Sequence, residues 1–328
     1  MTRSVFAMRS VAAVAAIAML AGCSWRLETP EPDWPTPDAE TLMRDAAAQR
    51  EQDVIEAIDA QDSSASQEAS VLADLEVNDA PTRLEALGGV YVPYPDASAS
   101  PTPSVSANAT TVPDAVLAAQ EGHFGDALTT EDDNLAVITA SAGLSHALSR
   151  WYATWVTDVV AAVDQPVSAE RLLESETLEG ETLVPTAPAL DAATVTDLAL
   201  AHDQAGYLYE VLAARSADTE REQWLARRDI QRDRAAALIA LPGVDDLRKA
   251  TYVTATRELP DAAARTQAAQ TEELAIGETY ATLAAGADVS DLPWLLSGAF
   301  DAYAQAGAYG DATVEVLAVP ALPGVASP

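Results

Sequence analysis

Apolar residues in the C-terminal half recur at alternating intervals of three and four. Leu198, Ala201, Ala205, Leu208 and Leu212 make one such series. Leu292, Leu295, Ala299, Ala302, Ala306, Tyr309 and Val316 make another. A third runs Thr266, Ala269, Glu273, Ile276, Tyr280 and Leu283, with a carboxylate on its apolar side. This spacing follows one face of a helix of 3.6 residues per turn. It predicts helices over about 191–215, 217–241, 260–286 and 290–316. Short connections between helices of this kind favour antiparallel neighbours, so the predicted fold class is all-α, an antiparallel helix bundle.

Upstream, the pattern predicts helix from Pro113 to Val163, broken near Thr129. Leu135, Ile138, Ala142, Tyr152, Val156 and Val159 form one stripe, and Leu144, Leu148, Trp151 and Trp155 form a second. A helix apolar on two sides is packed on two sides, so this segment should be the most buried and should lie on the C-terminal bundle. Thr36 and Pro37, followed by Asp38 and Glu40, read as a helix start. That helix should run to about Ala60 on a thin apolar edge of Leu42, Val54, Ile55 and Ile58. A second, short helix is expected from Pro81 to Leu87, ended by Gly88 and Gly89. The predicted organisation is a helical segment at 38–89, a Ser/Thr/Pro-rich linker at 90–112, a helical segment at 113–190 and a four-helix bundle at 191–318.

The N-terminus carries a different signal. Arg3 and Arg9 precede an apolar run from Val11 to Leu20, and Ala21 and Gly22 lead into Cys23. The run is too short to span a bilayer as a permanent helix and reads as an export signal over residues 1–22. Leu20-Ala21-Gly22-Cys23 also resembles the lipobox of bacterial lipoproteins. That resemblance implies acylation of Cys23, a lipid bilayer as partner, and a place on the outer face of the bacterial cell membrane. Residues 23–37 then form a Pro-rich tether that, if extended, spans about 40 Å. Cys23 is the one cysteine in 328 residues, so no intramolecular disulfide is possible.

Charge narrows the partners. Asp and Glu total 51 against 18 Lys plus Arg, a net charge of −33, which repels nucleic acid. Gly-rich phosphate loops and Cys–His pairs are absent from the sequence after Cys23. None of His123, His146 and His202 has a Glu three residues before it, so the paired Glu-x-x-His ligands of a di-metal bundle are missing. No catalytic residue and no cofactor are expected. The acidic runs Glu131-Asp132-Asp133 and Asp245-Asp246 read as helix starts that compensate the helix dipole. His202 beside Asp203 reads as a partly exposed pair on a helix surface.

Three stretches carry a family resemblance: "LALAHDQAGYLYEVLAARS" at 198–216, "WLARRDIQRDRAAALIAL" at 224–241 and "ARTQAAQTEELAIGETYATLAAG" at 264–286. With the Tyr252 to Leu259-Pro260 loop, they are similar to a ferritin-like domain of unknown function found in actinobacterial envelope lipoproteins. The resemblance implies a four-helix bundle over about 190–318 and carries no activity with it.

Within that region, Arg227, Arg228, Arg232 and Arg234 crowd into one stretch of helix, while Glu273 sits on an apolar stripe with Glu272 and Glu278 near it. Three arrangements fit: a solvent-facing charged face, a buried layer of ion pairs, or a pocket in which spare guanidinium groups hold an anion. The expected function is a non-enzymatic, membrane-anchored lipoprotein that binds an envelope protein or a small ligand. The alternative is a degenerate ferritin-like metal-binding or redox protein using Asp203, Glu210, Glu273 and Glu278.

Overall fold

The computed structural model describes residues 37–91, 111–157, 183–253, 259–310 and 319–325. Residues 1–22, Cys23, nearly all of the tether and most of the 90–112 linker lie outside the described residues. Within them the protein is all-α, with eight helices and no strand. These are α1 (Ala39–Asp59), α2 (Gln67–Ala86), α3 (Val112–Thr129), α4 (Asp133–Thr157), α5 (Ala192–Ala214), α6 (Asp218–Ile239), α7 (Ala262–Ala284) and α8 (Leu292–Tyr309). No described helix is long and apolar enough to cross a membrane.

Local chemistry sets most of the starts. Ser66 caps α2 by accepting from Ala69 N at 3.1 Å. Asp132 caps α4 through Leu135 N at 2.7 Å. Asp191 accepts from Ala193 N and Thr194 N, both at 3.0 Å, and Asp261 accepts from Ala264 N at 2.9 Å. Each cap satisfies an amide that the first turn leaves without a partner. Asp291 acts differently. It is buried before α8 and accepts from Ala189 N, Leu190 N and Trp294 Nε1. It thereby ties the chain entering α5 to the start of α8.

The short helix expected at Pro81 is the last part of α2, which begins fourteen residues earlier at Gln67 and runs through the proline. Leu72, Ala73, Glu76, Ala80 and Arg83 form its buried face. That packing outweighs the hydrogen bond that Pro81 removes from the helix interior.

The helices form two four-helix bundles. α1 packs on α2 and α3, and α4 closes the first bundle against α2 and α3. In the second, α5 pairs with α6 and α7 pairs with α8, with α5 also against α7. Residues 112–157 do rest on the C-terminal bundle, through α4 against α8, and they also complete a bundle with α1 and α2 that the sequence pattern did not predict. α4 has 15 of 25 residues buried, whereas α8 has 16 of 18, so α8 is the more enclosed helix. The largest apolar cluster spans this junction, joining Phe124, Leu144 and Leu148 to Leu198, Trp294, Leu295 and Phe300.

Helices α7 and α8 approach closely because each presents a glycine to the other's tyrosine. A Cβ at Gly277 would lie 2.7 Å from the Tyr303 ring, and one at Gly298 would lie 2.5 Å from the Tyr280 ring. Residues 319–325 return across the junction. Ser141 Oγ on α4 donates to Pro323 O at 2.7 Å. Gly324, at φ +77°, lies so near the Ala281 carbonyl on α7 that a Cβ would stand 2.3 Å from the oxygen. That position requires glycine both for its left-handed backbone and for its space.

Candidate functional site

Each bundle is crossed by a layer of fully buried charge. In the second bundle, α6 supplies Arg227, Gln231 and Arg234, α7 supplies Glu273, and α8 supplies Asp301. Arg227 grips Glu273 bidentately, Nε to Oε1 at 2.7 Å and Nη2 to Oε2 at 2.6 Å. It also donates to Asp301 at 2.8 and 3.3 Å. Arg234 Nη1 donates to Asp301 Oδ2 at 2.6 Å. Glu273 Oε1 accepts further from Tyr209 OH at 2.6 Å and Gln231 Nε2 at 2.9 Å. Two carboxylates therefore meet two guanidinium groups, and the layer's charge sums to zero. Burial alone would raise the Asp301 pKa, but Arg227 and Arg234 outweigh it and hold it far below the usual range. Planar forks facing carboxylates suit this geometry in a way that an ammonium would not.

His202 sits at the edge of this layer. Gln231 gives its amide N–H to Glu273, so its Oε1 accepts from His202 Nδ1 at 2.5 Å. His202 Nε2 accepts from Tyr280 OH at 2.7 Å. The imidazole is thus neutral. Burial first, then the nearby Arg234 and Arg227, push its pKa down to about 3. His202 is not the half-exposed partner of Asp203 expected from sequence, because it is fully buried.

The first bundle has a layer of its own. Glu51 comes from α1, Glu76 and Arg83 from α2, His123 from α3 and His146 from α4, all without solvent exposure. Arg83 Nε lies 3.1 Å from both oxygens of Glu51, its Nη1 donates to Ser145 Oγ at 2.9 Å, and its Nη2 donates to Glu76 Oε2. Glu51 Oε1 also meets His123 Nε2 at 2.7 Å and His146 Nε2 at 2.9 Å. His146 Nδ1 faces Glu76 Oε1 at 3.2 Å. A carboxylate at each ring nitrogen favours the imidazolium form of His146, in which both nitrogens donate, against Arg83 Nη2 at 3.4 Å from Nδ1. Burial and Arg83 work against that proton, but Glu76 and Glu51 prevail, and the His146 pKa is raised. His123 is lowered, by burial above all. Burial would raise both carboxylates. Instead His146 and Arg83 hold Glu51 well below its ordinary value, and Arg83 and His146 bring Glu76 to about 2. Two carboxylates again balance two cations.

The two layers follow one plan. Glu76 and Arg83 stand seven apart on α2, and Arg227 and Arg234 stand seven apart on α6. In each case the pair lies nine and sixteen residues beyond the first residue of its helix. Three buried atoms of these layers, His123 Nδ1 and Arg234 Nε and Nη2, have no hydrogen-bond partner among the described residues.

Of the arginines singled out from sequence, Arg227 and Arg234 point inward, whereas Arg228 pairs with Asp229 and Arg232 with Glu210 at the surface. Glu273 is in the layer. Glu278 is exposed and accepts from Tyr303 OH at 2.9 Å. Glu272 is half-buried and meets none of the four arginines; its carboxyl is raised by burial and by Glu273. The four alternative metal ligands do not converge. Asp203 accepts from Tyr252 OH, Glu210 pairs with Arg232, Glu273 with Arg227, and Glu278 with Tyr303. Asp245-Asp246 precedes no helix, and Asp246 instead pairs with Arg248 at 2.9 Å.

Sequence reasoning missed Asp301, Gln231, Tyr209 and the whole first layer. Asp301 in "LLSGAFDAYA" and His146 in "ASAGLSHALS" each carried a signal, the one acidic or basic residue in a run of small and apolar residues, whereas Gln231 and Glu51 lie among charged neighbours and carried none.

A groove of about 610 Å³ opens beside α5 and α7, lined by Gln204, Leu208, Tyr252, Gln267, Thr271 and Glu272 among others. Among the described residues that line it, none is one of the four arginines and the charged group is the Glu272 carboxylate. Comparison with protein-family models, with curated proteins and with solved structures finds no match for this chain.

Proposed function

We propose that the protein is a lipid-anchored lipoprotein of the bacterial envelope, ferritin-like in its helical ectodomain, that binds an envelope protein or a small ligand and catalyses no reaction. The observation that carries this reading is the contrast between interior and surface. In the second bundle, the layer where metal-binding bundles gather their ligands is filled by arginine–carboxylate pairs. Among its described residues the open groove offers amides, two hydroxyls, an apolar wall and the Glu272 carboxylate, groups that hold a partner. The lipobox at Leu20–Cys23 and the Pro-rich tether support placement at the membrane.

Anchoring is tested by mass spectrometry of the mature N-terminal peptide and by Cys23→Ala. Acylated Cys23 and release of the variant from the membrane fraction are expected; an unmodified Cys23 in membrane-bound protein refutes the anchor. For binding, a photo-crosslinking side chain is placed at Thr271 in the groove and, as control, at Thr279 further along α7. Adducts confined to Thr271 are expected. Equal or absent adducts at the two positions refute the groove as the binding surface.

A further inference from the structure

We propose that Glu51, His123 and His146 in the first bundle form a binding site for a divalent first-row transition metal. The inference goes beyond the anchoring and groove reading and stands or falls separately. Three observations carry it.

The first is convergence. One carboxylate oxygen and two imidazole nitrogens, all buried and supplied by three helices, lie within 4.8 Å of one another. Among the described residues no other group of three or more His, Cys, Asp or Glu does this. Both histidines turn the same atom, Nε2, toward the same oxygen, Glu51 Oε1. Their rings are stacked at 5.7 Å with an interplanar angle of 7°. Two imidazoles and one carboxylate are the borderline donors that suit zinc, iron or copper, and not the all-oxygen sets of calcium or magnesium.

The second is the outer ring. Metal-bound histidines commonly give their other N–H to a carboxylate that fixes tautomer and orientation. Glu76 does this for His146 Nδ1, and its second oxygen is held by Arg83. Arg83 can keep its bond to Glu51 Oε2, to Glu76 and to Ser145 while Glu51 Oε1 turns to a metal. The guanidinium then sits outside the coordination sphere and steadies two carboxylates. Binding replaces the Nε2 proton of His146 and moves that of His123 to its free Nδ1, so the neutral layer gains one net positive charge.

The third is access. A cavity of about 180 Å³ is lined by Asp74, Asn78, Asp79, Ser145 and Ser149. Ser145 hydrogen-bonds Arg83, so this acid-lined cavity comes within one side chain of the ring that surrounds the cluster. The second bundle lacks these features. Both nitrogens of His202 are engaged by Gln231 and Tyr280, and neither meets a carboxylate.

The test is zinc titration of the full-length protein in detergent, near neutral pH, against a chromophoric chelator. One zinc per chain is expected, bound more tightly than about 1 µM. His123→Gln and His146→Gln should each weaken it by at least about 100-fold, while the surface variant Glu210→Gln leaves it unchanged. Folded protein that takes up no zinc overturns the site. So does binding that ignores both histidine variants, which would place the metal on surface acids. Should either histidine variant fail to fold, the unsubstituted protein is loaded with Cu²⁺ and read by electron paramagnetic resonance. Coupling to two imidazole nitrogens is expected, and an oxygen-only spectrum overturns the proposal.

Discussion

Substitution of Asp301 by Asn keeps the side chain's shape and removes its charge. In the native layer this carboxylate receives hydrogen bonds from two arginines, at 2.8 and 3.3 Å from Arg227 and 2.6 Å from Arg234. The variant leaves two buried guanidinium groups facing one carboxylate, Glu273. Removing one partner of a buried ion pair typically destabilises by about 3–5 kcal/mol, a large share of the roughly 5–15 kcal/mol that holds a domain folded. Arg234→Met should be milder. The guanidinium it deletes has two nitrogens without partners, and Asp301 keeps both bonds to Arg227. The variant still leaves Glu273 and Asp301 facing the single cation Arg227, so a loss near the low end of about 3–5 kcal/mol is expected there. The double variant returns the layer to one cation against one anion, so it should be more stable than the sum of the single losses by about 1–3 kcal/mol. The assay is urea unfolding of the full-length protein in detergent, followed by circular dichroism. An Asp301→Asn loss below about 1 kcal/mol, or strictly additive losses in the double variant, would refute the charge-balance account.

Acidification should weaken the second bundle through His202. The unfolded chain binds a proton there below about pH 6.5, while the folded protein refuses it until about pH 3. Stability is therefore full above that window and falls by about 1.4 kcal/mol per pH unit within it; His202→Gln should flatten the melting-temperature profile between pH 6.5 and 4. Gly298→Ala drives a methyl into the Tyr280 ring and should destabilise by about 1–3 kcal/mol. Gly125→Ala, on α3 with nothing within 4 Å of the new Cβ, should stabilise by about 0.5–1 kcal/mol; the reverse order in thermal melts would contradict the packing described. Replacement of Arg83 by Met strands Glu51 and Glu76 beside one imidazolium and should cost about 3–5 kcal/mol, read in the same urea assay.

The helices of the second bundle were legible because Leu, Ile and Trp mark their buried faces. α5, α6 and α7 begin and end within about two residues of the periodic pattern. The first bundle was harder to read for a physical reason. Its α1 and α2 bury alanines such as Ala47, Ala48, Ala57, Ala69, Ala73 and Ala80, and alanine favours a helix without marking which face is inside. Pro81 then masked α2, since a proline mid-helix looks like a helix start. The arginine cluster was visible, but Arg227 with Arg234 and Arg228 with Arg232 are each compatible with one face of a helix. Only the positions of Glu273 and Asp301 on other helices select the inward pair. His123, His146 and Glu51 come together from three helices whose relative register no local pattern encodes.

The returning segment at 319–325 has a consequence for the order in which the molecule assembles. Most contacts within each bundle join helices near in sequence and close quickly. The bond from Ser141 to Pro323 spans 182 residues, and Gly324 settles against Ala281 of α7. Its docking surface exists only after α4 and α7 have both taken their places. The segment thus ties α4 of the first bundle to α7 of the second, a closure whose chain-entropy cost is met only where both helices are already in place.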